Sequence, residues 1–480
     1  MDDIAETPVS ELRPTLDRLR AAWMARRPDY NQRRDDLLRL RAAFKARLGA
    51  MTAAVSADFG HRSEHVSLIS DGMTVFGDID HLLAHLRRWM RPERRAVGWK
   101  FWPASAEVRF EPVGVVGVIA PWNYPVNLAL IPLATAIAAG NHVYLKPSEH
   151  TPRTSELLRE LLAEVFPPDR VAVALGGVET ASAFSALPFD HLLYTGSTAV
   201  GRKVMAAAAP NLTPLTLELG GKSPAVIGVD YPIEKAAYRL LTGKLLNAGQ
   251  TCVAPDYVLV PAANRDALVQ ALRSEVQRRY LPDFATSIDT TSIVNEAQYR
   301  RLRGYLADAQ ERGLEVIPLA TVDAAQADAQ RLFAPTLVLE PDADATVMRE
   351  EIFGPILPVL PYDSEQQVAD YINSRDTPLA LYYFTIDRKR QSYYIDNIRS
   401  GGVSVNEAHM HQAQYDLPFG GVGASGMGQY HSREGFETFS HMRPVFHQGP
   451  ISTIQCLLQP PYGRRTDRVL RVLLALKKLR

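Results

Sequence analysis

The chain is poor in cysteine: only Cys252 and Cys456 occur in 480 residues. No disulfide framework can support the fold, which suits a reducing, cytoplasmic setting. It has no uninterrupted apolar run near the ~20 residues that a membrane-spanning helix needs. Its most apolar stretches, 112–122 and 128–139, are shorter and carry proline or glycine. It has no net charge either, with 53 basic against 53 acidic residues, so nothing pulls it globally toward nucleic acid or an anionic membrane. The N-terminal MDDIAETPVSELRP lacks a basic segment followed by an apolar one, so no export signal is read there. Internal repeats and low-complexity segments are absent as well. A soluble cytoplasmic protein is expected.

What is present is an ordinary globular composition, 46% hydrophobic and 22% charged, on a chain long enough for two or three domains. Residues 33–51 place leucines, Phe44 and Leu48 three and four apart, which predicts a helix, with its basic residues on a solvated face. Residues 81–90 continue the helical texture. From Arg91 the chain turns to proline, glycine, aromatics and alternation, the pattern of a linker and an extended, hairpin-like arm.

Between residues 113 and 215, short β-branched runs (113–120, 142–145, 171–175, 191–194) alternate with helix-like segments, and Thr151 stands as N-cap of a helix over 151–165. This predicts an α/β fold with a parallel sheet. A second α/β unit runs to about residue 400, with helices at 233–246 and 264–279 and strands at 257–260, 336–339, 356–360 and 401–406. Segments 283–289 and 322–330 are expected to be connections, and the glycine-rich 417–428 an ordered or mobile loop. The tail 464–480 alternates leucine and valine with Arg and Lys. A helix packed on its own or a partner subunit is favoured there over one lying at a membrane surface.

Several residues could carry chemistry. Cys252 follows Asn247-Ala-Gly-Gln-Thr251, small residues that let a substrate carbon approach a thiol. Glu218, in an apolar strand, is either paired, with Lys222 as a candidate, or held with a raised pKa as a general base. Asn123, in the proline-bracketed 121–125, either caps that turn or offers its amide to a developing oxyanion. Lys146 ends a sheet strand, where ligands bind in open α/β sheets. The glycine turn Gly196 to Gly201 before a helix could meet a phosphate, although its spacing is not that of the dinucleotide fingerprint. His409 and His411 are read as pocket residues. No Cys, Asp or Glu pattern completes a metal site around them, and no metal is expected.

The ordered set PWNYP, KPSE, GSTAVG, LELGGK, GQTC, EEIFGP and LPFGGVGASGMG resembles the aldehyde dehydrogenase superfamily from about Arg33 to His447. Details such as NAGQTCVAPDYVLVP and TFSH resemble its class 3 branch, and HLLYTGSTAVGRKVMAAAAPNLTPLTLELGGKSP resembles bacterial coniferyl aldehyde dehydrogenases. The resemblance implies a Rossmann-like NAD-binding domain (1–91 and 113–215), an α/β catalytic domain (216–400), a small β oligomerisation arm with an active-site loop region (92–112 and 401–447), and a basic amphipathic tail (448–480). A homodimer, joined by the arm and the strand at 401–406, is implied with them.

By the same resemblance Cys252 is the nucleophile, Asn123 and the Cys252 backbone N–H hold the oxyanion, and Glu218 activates the water that releases the acid. Trp122, Lys146, Pro147, Ser148, Glu149, Gly196, Ser197, Gly201, Leu219, Gly220, Glu351 and Phe353 match cofactor-binding positions. Tyr124, Ile131, Val253 and His409 match the substrate pocket. NAD is the implied cofactor, because Glu149 would repel a 2′-phosphate, with NADP possible. The substrate is an aromatic or medium-chain aldehyde, coniferaldehyde among them. A coenzyme A-acylating enzyme and a catalytically silent binding relative are the alternatives.

Overall fold

A computed structural model describes residues 5–280, 282–452 and 454–477. Two sheets and a small arm organise the chain. The first sheet has six strands in the order Gly426–Met427, Leu215–Glu218, His191–Thr195, Val115–Ile119, His142–Lys146 and Val171–Val173. All pair in parallel except the two-residue Gly426–Met427 strand. The chain moves outward from Val115–Ile119 and then returns to its other side at His191–Thr195. The strand order therefore reverses there, which leaves a crevice at the C-terminal strand ends.

The β-branched run at 115–119 is buried along its whole length because helices cover both faces. Successive strand residues point to opposite sides. Val115 packs with Leu12, Leu16 and Leu19 of helix Val9–Ala25, and Val116 and Val118 pack with Leu37, Phe44, Ile137 and Leu158 on the other face. Those last four belong to helices Tyr30–Phe59, Asn127–Ala139 and Pro152–Val165.

The second sheet has seven strands, in the order Val316–Pro318, Thr336–Leu339, Ile356–Tyr362, Tyr257–Pro261, Pro224–Ile227, Ala380–Phe384 and Gly402–Val405. Only Val316–Pro318 runs antiparallel. The strand expected at 401–406 is thus an edge of this sheet. The arm is a separate antiparallel sheet of Glu93–Arg95, Ser105–Pro112 and Ser440–His447.

Four local expectations change. Arg33 is buried rather than on a solvated face, while Arg39 stays exposed. Arg33 donates to Pro28 O at 3.0 Å and Ala138 O at 3.2 Å, and Arg39 to Val165 O at 2.7 Å. Ala138 and Val165 lie in the last turns of their helices, where carbonyls lack intrahelical partners and guanidinium donors satisfy them. Thr151 occupies the N-cap position but makes no capping bond. Asp58 of the neighbouring helix takes that role, accepting from Arg153 N at 3.1 Å and Thr154 N at 2.9 Å. The alanine-rich connection at 322–330 contains a helix, Ala324–Gln330, capped by Asp323, as alanine's propensity favours once a cap is available. The tail helix Arg464–Lys477 leaves Val469, Leu470, Val472 and Leu474 exposed, so packing on its own subunit is not what this chain adopts. No helix among the described residues is long and apolar enough to cross a membrane.

Candidate active site

Cys252 stands after an unusual backbone. Asn247, Ala248 and Gly249 take φ of 52°, 54° and 74°, a run in the left-handed region that favours glycine. At Gly249 a Cβ would sit 2.4 Å from Gly354 O, so only glycine fits that point. The strain is held by side-chain bonds. Asn247 Nδ2 donates to Asn123 O at 3.0 Å, Gln250 Nε2 donates to Asn247 O and Ser292 O at 3.1 Å each, and Gln250 Oε1 accepts from Val294 N at 3.0 Å. Beyond the cysteine, the Tyr382 hydroxyl donates to Val253 O at 2.5 Å. The thiol is thereby fixed from both directions, as a nucleophile's position requires.

Asn123 comes from the loop after strand Val115–Ile119. Its Nδ2 donates to Gln250 O at 3.1 Å. That commits one of the two amide hydrogens and leaves the other for an oxyanion at the cysteine. Tyr124, next to it, shares a hydrogen bond with Thr251 Oγ1 at 2.7 Å. The loop is anchored by a residue with no signal in the sequence, Arg62. It is fully buried, pairs with buried Asp71 at 3.0 Å, donates to Asn123 O at 3.3 Å and lies over the Tyr124 ring. Replacing Arg62 with leucine is expected to cost about 3–5 kcal/mol by leaving Asp71 buried and unpaired. Urea unfolding checks this directly.

Glu218 ends strand Leu215–Glu218. It is 3% exposed, and neither carboxylate oxygen has a hydrogen-bond partner among the described residues. Burial pushes its pKa well above the ordinary carboxylate value. Lys222 is not its partner: that amine pairs with Asp256 and donates to Val347 O at 2.8 Å and Glu350 O at 2.9 Å. Of the two readings left open by spacing, the pairing with Lys222 is not the one the fold adopts. The Cys252 thiol is pushed up to about 12 by burial and then by the charges of Glu351 and Glu218. Both carboxyls thus lie within electrostatic reach of the thiol.

The cofactor-side residues cluster at the strand ends of the first sheet. Lys146 is buried, with Nζ 3.1 Å from both Pro147 O and Glu149 Oε2. Burial would raise the Glu149 pKa, but Lys146 holds it below the ordinary value. Pro147, Ser148 and Glu149 line a cavity with Leu175 and Gly176. Ser197 caps helix Thr198–Ala208 through Val200 N at 3.4 Å. A Cβ on Gly196 would meet the Tyr194 hydroxyl at 2.2 Å, and one on Gly201 would meet the Leu219 side chain at 2.6 Å.

From the other sheet, Glu351 sits so close to Gly220 that a Cβ there would lie 2.0 Å from its carboxylate. Burial, then Asp256, pushes Glu351 up to about 8. Trp122 and Phe353 meet edge to face, with ring centroids 5.3 Å apart. These residues fit a dinucleotide: a carboxylate–lysine pair for ribose hydroxyls, a helix start for phosphate, and aromatic rings beside Asn123.

Of the expected pocket residues, Ile131 lines a cavity between helix Thr74–Trp89, helix Asn127–Ala139 and loop residues 412–415. Val253 and His409 are buried. Burial pushes His409 down to about 3, so it is neutral. Among the described residues no group of three or more His, Cys, Asp or Glu side chains could hold a metal ion.

A half-buried thiol, an amide donor and a carboxyl without a hydrogen-bond partner among the described residues gather between the two sheets. The aldehyde dehydrogenase family model matches residues 19–445, and the chain belongs to that family, whose members oxidise aldehydes. It is 47% identical to the "Probable coniferyl aldehyde dehydrogenase" of Pseudomonas aeruginosa over 96% of each chain. It is 41% identical to rat aldehyde dehydrogenase family 3 member A2, over 85% of this chain and 83% of the relative. Among solved structures, the substrate-bound state of Staphylococcus aureus AldH superposes with a TM-score of 0.91 at 34% identity, over 98% of this chain and all of that one. The Mycobacterium tuberculosis aldehyde dehydrogenase complexed with NAD+ has a TM-score of 0.83 at 29% identity, over 93% and 92%.

Proposed function

We propose that this protein oxidises an aromatic aldehyde such as coniferaldehyde, or a medium-chain aliphatic one, to the free carboxylic acid through a thioester on Cys252. NAD is the preferred cofactor, and NADP can replace it. The observation that carries the reading is Glu218: a buried carboxylate with two unpartnered oxygens in electrostatic reach of the cysteine. Such a group has no structural use, whereas hydrolysis of a thioester needs a base for water.

The Cys252 sulfur adds to the aldehyde carbon, and the free Asn123 amide hydrogen with the Cys252 backbone N–H takes the resulting oxyanion. Bound nicotinamide supplies the hydride acceptor. Loss of hydride leaves the acyl group on Cys252, and Glu218 removes a proton from the attacking water. Glu149, paired with Lys146, would hold the adenosine ribose hydroxyls and would disfavour a 2′-phosphate. Glu351 and Phe353, facing Gly220 and Trp122, would hold the nicotinamide end. In this reading residues 1–91 and 113–215 form the cofactor-binding domain and 216–400 the catalytic one, and the arm joins two subunits as a homodimer. The similarity to coniferyl aldehyde dehydrogenases and to an NAD+-complexed structure supports substrate class and cofactor.

The test is NADH and NADPH formation by purified protein with coniferaldehyde, benzaldehyde and hexanal, with and without coenzyme A. Turnover that needs no coenzyme A and yields free acid is expected. Product formation only with coenzyme A would replace this reading with acyl transfer, and a folded, NAD-binding protein silent on every aldehyde would replace it with a binding role.

A further inference from the structure

The cavity beside Glu149 has one wall from a distant part of the chain. Glu6 lines it, together with Pro152 and Ser155 of helix Pro152–Val165. Glu6 stands just ahead of helix Val9–Ala25, whose Leu12, Leu16 and Leu19 are buried in the core of the first sheet. Two bonds then tie the segment before that helix to the cavity rim. Thr7 N donates to Leu175 O at 2.8 Å, and Leu175 N donates to Thr7 Oγ1 at 3.0 Å. The ring of Pro8 restricts the backbone of Thr7 as well as its own. Glu6 is thereby delivered to the cavity, although it is exposed to water. Its Oε1 lies 3.8 Å from the point that a Cβ on Gly177 would occupy.

The charge on this wall is of one sign. Glu6 comes from the N-terminal segment and Glu149 from the loop after strand His142–Lys146, and no Lys, Arg or His side chain among the described residues lines the cavity with them. The amine of Lys146 is committed to Pro147 O and Glu149 Oε2, at 3.1 Å each. A bare ribose meets such a wall without penalty, because its hydroxyls can donate to carboxylates. A ribose carrying a phosphate brings further negative charge and finds no free cation on the wall. Like charges placed against the wrong ligand are a means of specificity in their own right.

Resting on the reading of this cavity as the adenosine end of the NAD site, we propose that Glu6 is a specificity-determining residue, whose carboxylate repels a 2′-phosphate and so turns the protein against NADP. Glu149 would serve the ribose itself, whereas Glu6 acts on the phosphate. Removing Glu6 therefore changes NADP affinity far more than NAD affinity. Because Glu6 is in contact with water, the effect is moderate and falls as salt screens it.

The experiment measures Kd for NAD and for NADP by isothermal titration calorimetry on the full chain, without turnover. In Glu6→Gln the NADP Kd is expected to fall about 3- to 10-fold, and in Glu6→Lys about 10- to 100-fold, the scale of one and of two unit-charge changes against a phosphate near a surface. The NAD Kd should move by less than about twofold in Glu6→Gln, and the gap between variant and wild type should narrow in about 0.5 M salt. A ratio of the two Kd values that is unchanged in both variants overturns the proposal. So does equal tightening of both dinucleotides, which makes Glu6 a repellent of the shared pyrophosphate, and so does equal weakening, which makes it a tether of the N-terminal segment. Wild-type protein that binds neither dinucleotide overturns the cofactor reading, and this inference with it.

Discussion

Replacing Cys252 with alanine is expected to lower aldehyde-dependent NADH formation by about 10⁴-fold or more, the scale on which loss of a nucleophile acts. NAD affinity and thermal unfolding should be nearly unchanged, because the bonds that hold the loop run through Asn247, Gln250 and Tyr382. The small side chain leaves that frame in place. The same variant separates the cysteine's reactivity from its position. With its pKa pushed up to about 12 by burial and neighbouring carboxylates, the cofactor-free thiol is ionised only to about one part in 10⁵ at pH 7. Alkylation by iodoacetamide that is present in wild type and absent from the variant should therefore be slow at neutral pH. It should accelerate about tenfold per pH unit between about pH 7 and 10. A fast, pH-independent labelling would mean that another group already deprotonates Cys252 in the free protein.

Glu218→Gln should act on a different step. Steady-state turnover is expected to fall by about 10²- to 10⁴-fold, the usual worth of a general base, while one equivalent of NADH still forms in a burst and the acyl group stays on Cys252. Mass spectrometry of the intact protein would detect that adduct. If the burst is lost together with the steady state, Glu218 acts before the thioester and not on water. The substitution also has a predictable stability signature. Burial raises the folded-state pKa of Glu218, so its contribution is fully present below the unfolded-state value near 4.5 and is lost as pH rises through the folded-state one. Glutamine does not ionise. The variant should therefore gain stability relative to wild type as pH increases above that lower value, in urea melts taken across the range.

Much of this site could be read from residue order. Cys252 sits among small residues, Glu218 within an apolar strand, and the strand texture of 113–120 and 191–194 marks a buried parallel sheet, because burial on both faces demands continuous β-branched residues. Other parts had no local signal. Arg62 and Asp71 look like ordinary polar helix residues until the fold buries them against Asn123 and Tyr124. Asp58 caps a helix that begins 94 positions later, at Pro152. Helices Glu296–Glu311 and Arg388–Asn397 and strand Ala380–Phe384 were not read as elements.

By itself, then, the sequence determined the alternating α/β plan, the candidate nucleophile and base, and the ordered motifs that mark the family. These depend on short-range pattern, on period, small-residue turns and side-chain type, which survive without coordinates. Tertiary structure alone decided that Glu218 is not paired with Lys222, since only packing could give Lys222 to Asp256 and leave both Glu218 oxygens without a partner among the described residues. It alone buried Arg33, Arg62 and Asp78. A charge's worth is set by the dielectric and the partners around it, and those are supplied by residues far away in the chain.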